Sequence, residues 1–161
     1  MTITIIAVGK LKEIFWEKAC DEYIKRLSRY CKIKIIEIHD EKVPAGAGAA
    51  EIEIATKKES EAILKHLSCR CSNTLVTLEI NGIQNDSMAF AKKMDSFMVN
   101  GISHFTFVIG GSNGLHHQII EKSQWHLSFS QMTFPHQLFR IMLLEQIYRG
   151  FKINHHETYH K

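Results

Sequence analysis

The stretch FTFVIGGSNGL, Phe105 to Leu115, sets the architecture. A short run of buried-strand residues, Phe105 to Ile109, runs straight into Gly110, Gly111 and Gly114. This is the form of a strand in an α/β sheet that ends in a ligand-facing turn. Glycine at such a point lets backbone N–H groups approach a ligand and takes positive φ without steric cost. The spacing is not that of a Walker A loop, because no Gly-Lys-Ser/Thr follows. It is not G-x-G-x-x-G either, and no acidic residue stands about 20 positions on to take a ribose hydroxyl. Taken alone, the string fits a plain tight turn as well as a ligand loop. On the ligand-loop reading, a bulky residue at 110 would block the approach and leave the fold largely intact.

Working outward, strand and helix patterns alternate. Ile3 to Val8 predicts a strand ending at Gly9, and Trp16, Ala19, Cys20, Tyr23, Ile24 and Leu27 recur at helical spacing. A strand at 33–38, a glycine-rich loop at 43–50 and a helix over 51–67 follow. Next come a strand at 74–80 and an Asn81-Gly82 turn. Asp86 or Ser87 caps a helix that ends at Asn100-Gly101. A short helical stretch near 115–122, a strand at 125–130 and a helix over 135–151 with proline in its first turn complete the chain. The expected fold is a single α/β domain over residues 1–161, a mostly parallel sheet with helices on both faces.

A chain of 161 residues, 45% hydrophobic and 23% charged, has the profile of one globular domain. It shows neither a membrane-length apolar run nor a signal pattern, so the expected location is the cytoplasm. The four cysteines lack the paired spacing of a zinc site, and no metal is expected. A formal charge of +3 excludes a polybasic binder. The charge is uneven, with His126, His136, His155, His156 and His160 near Arg140, Arg149, Lys152 and Lys161 at the C-terminal end.

The final helix carries Leu138, Ile141, Met142, Leu144, Glu145 and Tyr148 around most of its circumference. That pattern suits a central core helix or a dimer interface. Arg140 and Arg149 in this helix snorkel, pair with Glu145 or meet RNA phosphate. The tail HHETYHK offers Tyr159, His160 and Lys161, a stacking ring, an imidazole and a cation suited to an unstacked RNA base.

IIAVGKLK, TLEING, FVIGGSNGL, LSFSQMTFPHQLFR, EQIYRGFKI and the terminal YHK together resemble the RlmH family of SPOUT-type methyltransferases over nearly the whole chain. The resemblance implies a C-terminal trefoil knot, a homodimer, and methyl transfer from S-adenosylmethionine to N3 of a pseudouridine in 23S rRNA of the large subunit or ribosome. It implies a cofactor pocket of Leu78, Gly110, Phe129, Ser130, Gln131, Met132, Thr133 and Phe134. His160, Arg140 and Tyr159 would stand near the target base, with the tail supplied by the partner subunit. His160 would accept the N3 proton and Arg140 would steady negative charge. The chain departs from the family at Glu79 to Gln84 and at His156, where relatives carry glycine. The alternatives are a non-catalytic RNA-binding paralogue with an impaired cofactor site and a dinucleotide-binding oxidoreductase.

Overall fold

The computed structural model describes residues 1–67 and 72–159. Five parallel strands, β1 (Thr2–Val8), β2 (Lys32–Ile38), β3 (Asn73–Gln84), β4 (His104–Ile109) and β5 (Trp125–Ser128), lie in the order β2-β1-β4-β3-β5. The intervening helices are α1 (Ile14–Leu27), α2 (Ala49–Leu64), α3 (Ser87–Val99) and α4 (His117–Ile120), and α5 (His136–Asn154) ends the fold.

Strand alternation divides the interior in two. Ile3, Ile5, Val76, Phe105 and Phe107 point to the side packed with Leu27, Phe90, Leu143 and Ile147, from α1, α3 and α5. Ile6, Val8, Leu75 and Val108 point to the other, under Ile63 of α2 and Ile119 of α4. Both faces of the sheet are therefore covered, which explains its near-continuous apolar strands. α5 lies between α1 and α3 over the sheet. Leu143, Leu144, Ile147 and Phe151 are buried there, which accounts for the core face of the helix, while Leu138, Ile141, Met142 and Tyr148 remain half-buried.

Helix ends follow their local chemistry. The Asp86 side chain accepts from the Ala89 N–H at 2.7 Å, as expected of a cap, and Gly101 after α3 takes a φ of +87°. Pro135 stands one position outside α5, as its N-cap, and not in the first turn. α2 starts at Ala49, two residues before the expected boundary, and α4 shrinks to four residues. Cys20 and Cys31 are free and buried, and burial pushes their thiols up to about 11 and about 12. Cys69 and Cys71 lie outside the described residues. Among the described residues no helix is long and apolar enough to cross a membrane.

One expectation is corrected. Asn81-Gly82 forms no turn, because β3 runs through it to Gln84. Leu127 of β5 pairs with Leu78 and again with Ile83, so residues 79–82 bulge between the two pairings. The Ile80 carbonyl accepts from Ser128 Oγ at 3.0 Å and Gln131 Nε2 at 3.2 Å. Glycine at 82 is required by proximity: a Cβ there would sit 2.8 Å from the Leu127 carbonyl carbon. Gly82→Ala is expected to lower stability by about 1–3 kcal/mol in urea unfolding, since backbone on both sides must shift.

Candidate active site

The chain leaves β1 toward β2 on one side and β4 toward β5 on the other. The carboxyl ends of β1 and β4 therefore form the switch point where open α/β sheets build ligand crevices. Gly9 closes β1 and Gly110 closes β4, and Ala7 and Ile109, which precede them, are paired in register. Gly114 donates its N–H to the Gly111 carbonyl at 3.1 Å and takes a φ of +81°. A Cβ at Gly110 would lie 2.6 Å from the Gly114 carbonyl oxygen. Glycine at 110 is thus demanded first by closure of the turn. A bulky residue there must displace the Gly114 carbonyl as well as obstruct any ligand, so its first effect falls on the turn itself.

Leu78 pairs with Ile109 of β4 and Leu127 of β5, so it adjoins both the glycine turn and the start of the loop after β5. In that loop the Phe129 ring lies 5.0 Å from Phe139 and Phe134 lies 6.3 Å from the same ring. The Ser130 hydroxyl accepts from the Met132 N–H at 3.0 Å. Gln131, Met132 and Thr133 are exposed. Leu78, Gly110 and Phe129 to Phe134 thus gather at the carboxyl edge of three neighbouring strands, with apolar side chains among them. Beside them a cleft of about 560 Å³ is lined by Tyr23, Asp86, Phe90, Phe129, Ile141 and Met142, among others.

Arg140 does not pair with Glu145. It is 1% exposed, donating from Nη1 to Glu37 Oε1 at 2.6 Å and from Nη2 to the Gly9 carbonyl at 3.0 Å. Its Nε has no hydrogen-bond partner. The same Glu37 oxygen accepts the Leu11 N–H at 3.1 Å. Burial opposes ionisation of Glu37, but Arg140 and the Leu11 N–H outweigh it and hold the carboxyl below its usual value. His136 packs on Gly9, where a Cβ would lie 2.4 Å from His136 Nε2. Burial, with help from Arg140 and Lys12, lowers the pKa of this imidazole against the pull of Asp40. Nothing in the sequence distinguished Glu37 or His136 from other polar residues at strand and helix ends.

The tail rests on α5 at Glu145, which also lines the cleft beside Phe129. His156 takes a φ of +55°, the left-handed conformation glycine adopts freely, and the Glu157 N–H bonds back to the Lys152 carbonyl at 2.9 Å, closing a Schellman turn. Tyr159 stacks edge-on against Tyr148 at 5.0 Å, with the Arg149 guanidinium 4.8 Å from its ring centre. Its hydroxyl donates to Glu145 at 3.3 Å. Arg149 also pairs with Glu145, at 2.6 Å. Arg140 and Tyr159 are therefore not brought together within one chain. His160 and Lys161 lie outside the described residues.

Glu53, His116 and His117 form a further polar cluster, their nearest ligand atoms within 4.8 Å. The His116 Nδ1 caps α4 by accepting the Gln118 N–H. That leaves Nε2 to donate to Glu53 at 2.8 Å, so its lone pair is not free for a cation.

A glycine turn and a half-buried loop thus stand at adjoining strand ends, the edge of an open α/β sheet where ligand crevices commonly form. The family description "predicted SPOUT methyltransferase" matches residues 1–160, and the chain belongs to that family of methyltransferases. Among solved structures, a probable methylase family protein from Haemophilus influenzae Rd KW20 shares the fold. It has a TM-score of 0.56 at 10% identity, covering 99% of this chain and 70% of that one.

Replacing Arg140 with methionine is expected to lower stability by about 2 kcal/mol, the modest end for a broken buried pair because solvent screens the partly exposed Glu37. The carboxylate's contribution has a defined sign. With its pKa lowered on folding from a usual 4.5, it is complete above that value and lost as the pH falls through the lower folded value. The gap between wild type and Glu37→Gln in denaturant titrations should therefore narrow on acidification. At the tail, His156→Gly should stabilise by about 0.5–1 kcal/mol in thermal unfolding, by relieving left-handed strain.

Proposed function

We propose that this chain transfers a methyl group from S-adenosylmethionine to N3 of a pseudouridine in large-subunit (23S) rRNA, working as a cytoplasmic homodimer. The observation that carries the reading is the convergence of Leu78, Gly110 and the loop Phe129 to Phe134 at one edge of the sheet. Leu78, Phe129 and Phe134 offer apolar walls for a purine, and the loop backbone offers donors and acceptors for its edge. When bound, the cofactor supplies a methyl group already activated on a sulfonium. The task of the chain is then to hold the acceptor base in line and dispose of its N3 proton.

Tyr159 and His160 are proposed to stack the base and accept that proton. Their position argues for donation by the partner subunit. Tyr159 rests against Tyr148 and Glu145, whereas Arg140 turns toward Glu37 and Gly9 on the other side of α5. Arg140, with both Nη atoms engaged, acts as a positioning residue whose buried positive charge favours the imide anion. The trefoil knot belongs to the same reading. After β5 at the sheet edge the chain returns to the centre, where α5 packs between α1 and α3. That path passes the ends of β3 and β4.

The test is transfer of labelled methyl from S-adenosylmethionine to ribosomal subunits, with the product nucleoside identified by mass spectrometry. A chain ending at Thr158 should keep its cofactor affinity and lose activity by about 10²-fold or more, as expected for a misplaced acceptor. Mixing it with a Gly110→Val chain should restore part of the activity, because one subunit then supplies an intact pocket and the other an intact tail. Subunit exchange without rescue would place pocket and tail in the same chain. RNA binding without any methyl transfer by the wild type would instead favour the non-catalytic paralogue.

A further inference from the structure

The stretch from Gly9 to Glu13 joins β1 to α1 at the carboxyl edge of the sheet and is held at several points. Its carbonyl at Gly9 takes Arg140 Nη2 and its Leu11 N–H is fixed by Glu37. The Gly9 N–H reaches the Ile38 carbonyl at 2.9 Å. The clamp leaves Lys10 and Lys12 in solvent and presents Phe15, 59% exposed, on the first turn of α1. The Phe15 ring rests on Trp16, with centroids 4.5 Å apart, so a partner would meet an aromatic face that is already oriented. Phe15 and the adjoining Ile14, both largely exposed, leave an apolar face in solvent a few residues after these lysines.

The location adds to the case. His136, the first residue of α5, packs on Gly9. The glycine turn is equally close, since a Cβ on Gly111 would lie 3.1 Å from the Val8 side chain. The segment therefore borders the candidate cofactor crevice. From this geometry we infer that Lys10, Lys12 and Phe15 form a track for single-stranded RNA flanking the target base, the lysines on phosphates and the phenylalanine under an unstacked base. The inference rests on the RNA methyltransferase reading and names how its substrate is gripped. Cation and ring together match the chemistry of an unpaired strand, in which phosphates alternate with exposed base faces. Glu13 and Glu17, also exposed on this turn, keep the net charge low. Recognition here therefore depends on stacking and a few phosphate contacts, in keeping with a chain of formal charge +3.

The experiment measures binding of the full chain to a fluorescein-labelled oligouridylate by anisotropy across a salt series, with cofactor affinity followed by calorimetry. Lys10→Ala/Lys12→Ala should reduce the slope of log affinity against log salt by about 1.4, two contacts at the single-strand value. Phe15→Ala should weaken binding by about five- to a hundredfold with the slope unchanged. Cofactor affinity and the melting temperature should stay at wild-type values in both, because all three side chains are exposed. Wild-type RNA affinity and slope in both variants would overturn the track. So would a shift of Phe15→Ala from dimer to monomer in sedimentation, which would make this face a contact between copies. If either occurs while the wild type still methylates rRNA, only the track falls. Failure of the wild type to bind RNA or transfer methyl removes the underlying reading as well.

Discussion

The buried guanidinium of Arg140 is the point at which the fold closes. A charge withdrawn from water costs several kcal/mol unless paired. Here it is met by a carboxylate 103 positions earlier in the chain and a carbonyl 131 positions earlier. Those partners lie at the ends of β2 and β1, so one side chain of α5 ties the start of the last helix to the carboxyl edge of the sheet. With α5 fixed there, the loop from Phe129 to Pro135 is pinned at both ends, and its backbone is held open beside the glycine turn. Removing Arg140 would leave Glu37 and the Gly9 carbonyl without this partner, so the contact fixes the start of α5 as well as satisfying the charge.

Much of the architecture was legible because it depends on local chemistry. Strands rich in isoleucine, valine and phenylalanine, the Asp86 cap and the glycines at strand ends all act through their immediate neighbours. The Asn81-Gly82 pair misled for the opposite reason. Its turn chemistry is real, but β5 lies close enough that a side chain at 82 would strike its backbone, so the glycine serves a tertiary contact. The circumference of α5 suggested either a core helix or an interface, and its place between α1 and α3 accounts for the core share. The candidate site could be named from the sequence in its glycines and its loop after β5, which the structure sets at neighbouring strand ends. It was not legible in Glu37 or His136, whose roles arise only when β2, β1 and α5 meet.

The tail poses a question of energy rather than of sequence. Among the described residues, Tyr159 is held by a long hydrogen bond to Glu145, an edge-on ring contact, a guanidinium over its ring and the side chain of Tyr23. Partly exposed contacts of these kinds contribute about 1 kcal/mol each or less. Glu145 would keep Arg149 after the tail left, since that pair is made at 2.6 Å and 3.0 Å independently of Tyr159, so departure would strand no buried charge. The Schellman turn at His156 is the firmer part: Glu157 is held by Lys152 at 2.6 Å and Tyr30 at 2.9 Å. Glu157 therefore fixes the path of the chain out of α5, and Tyr159 is held by partly exposed contacts that can be exchanged at small cost.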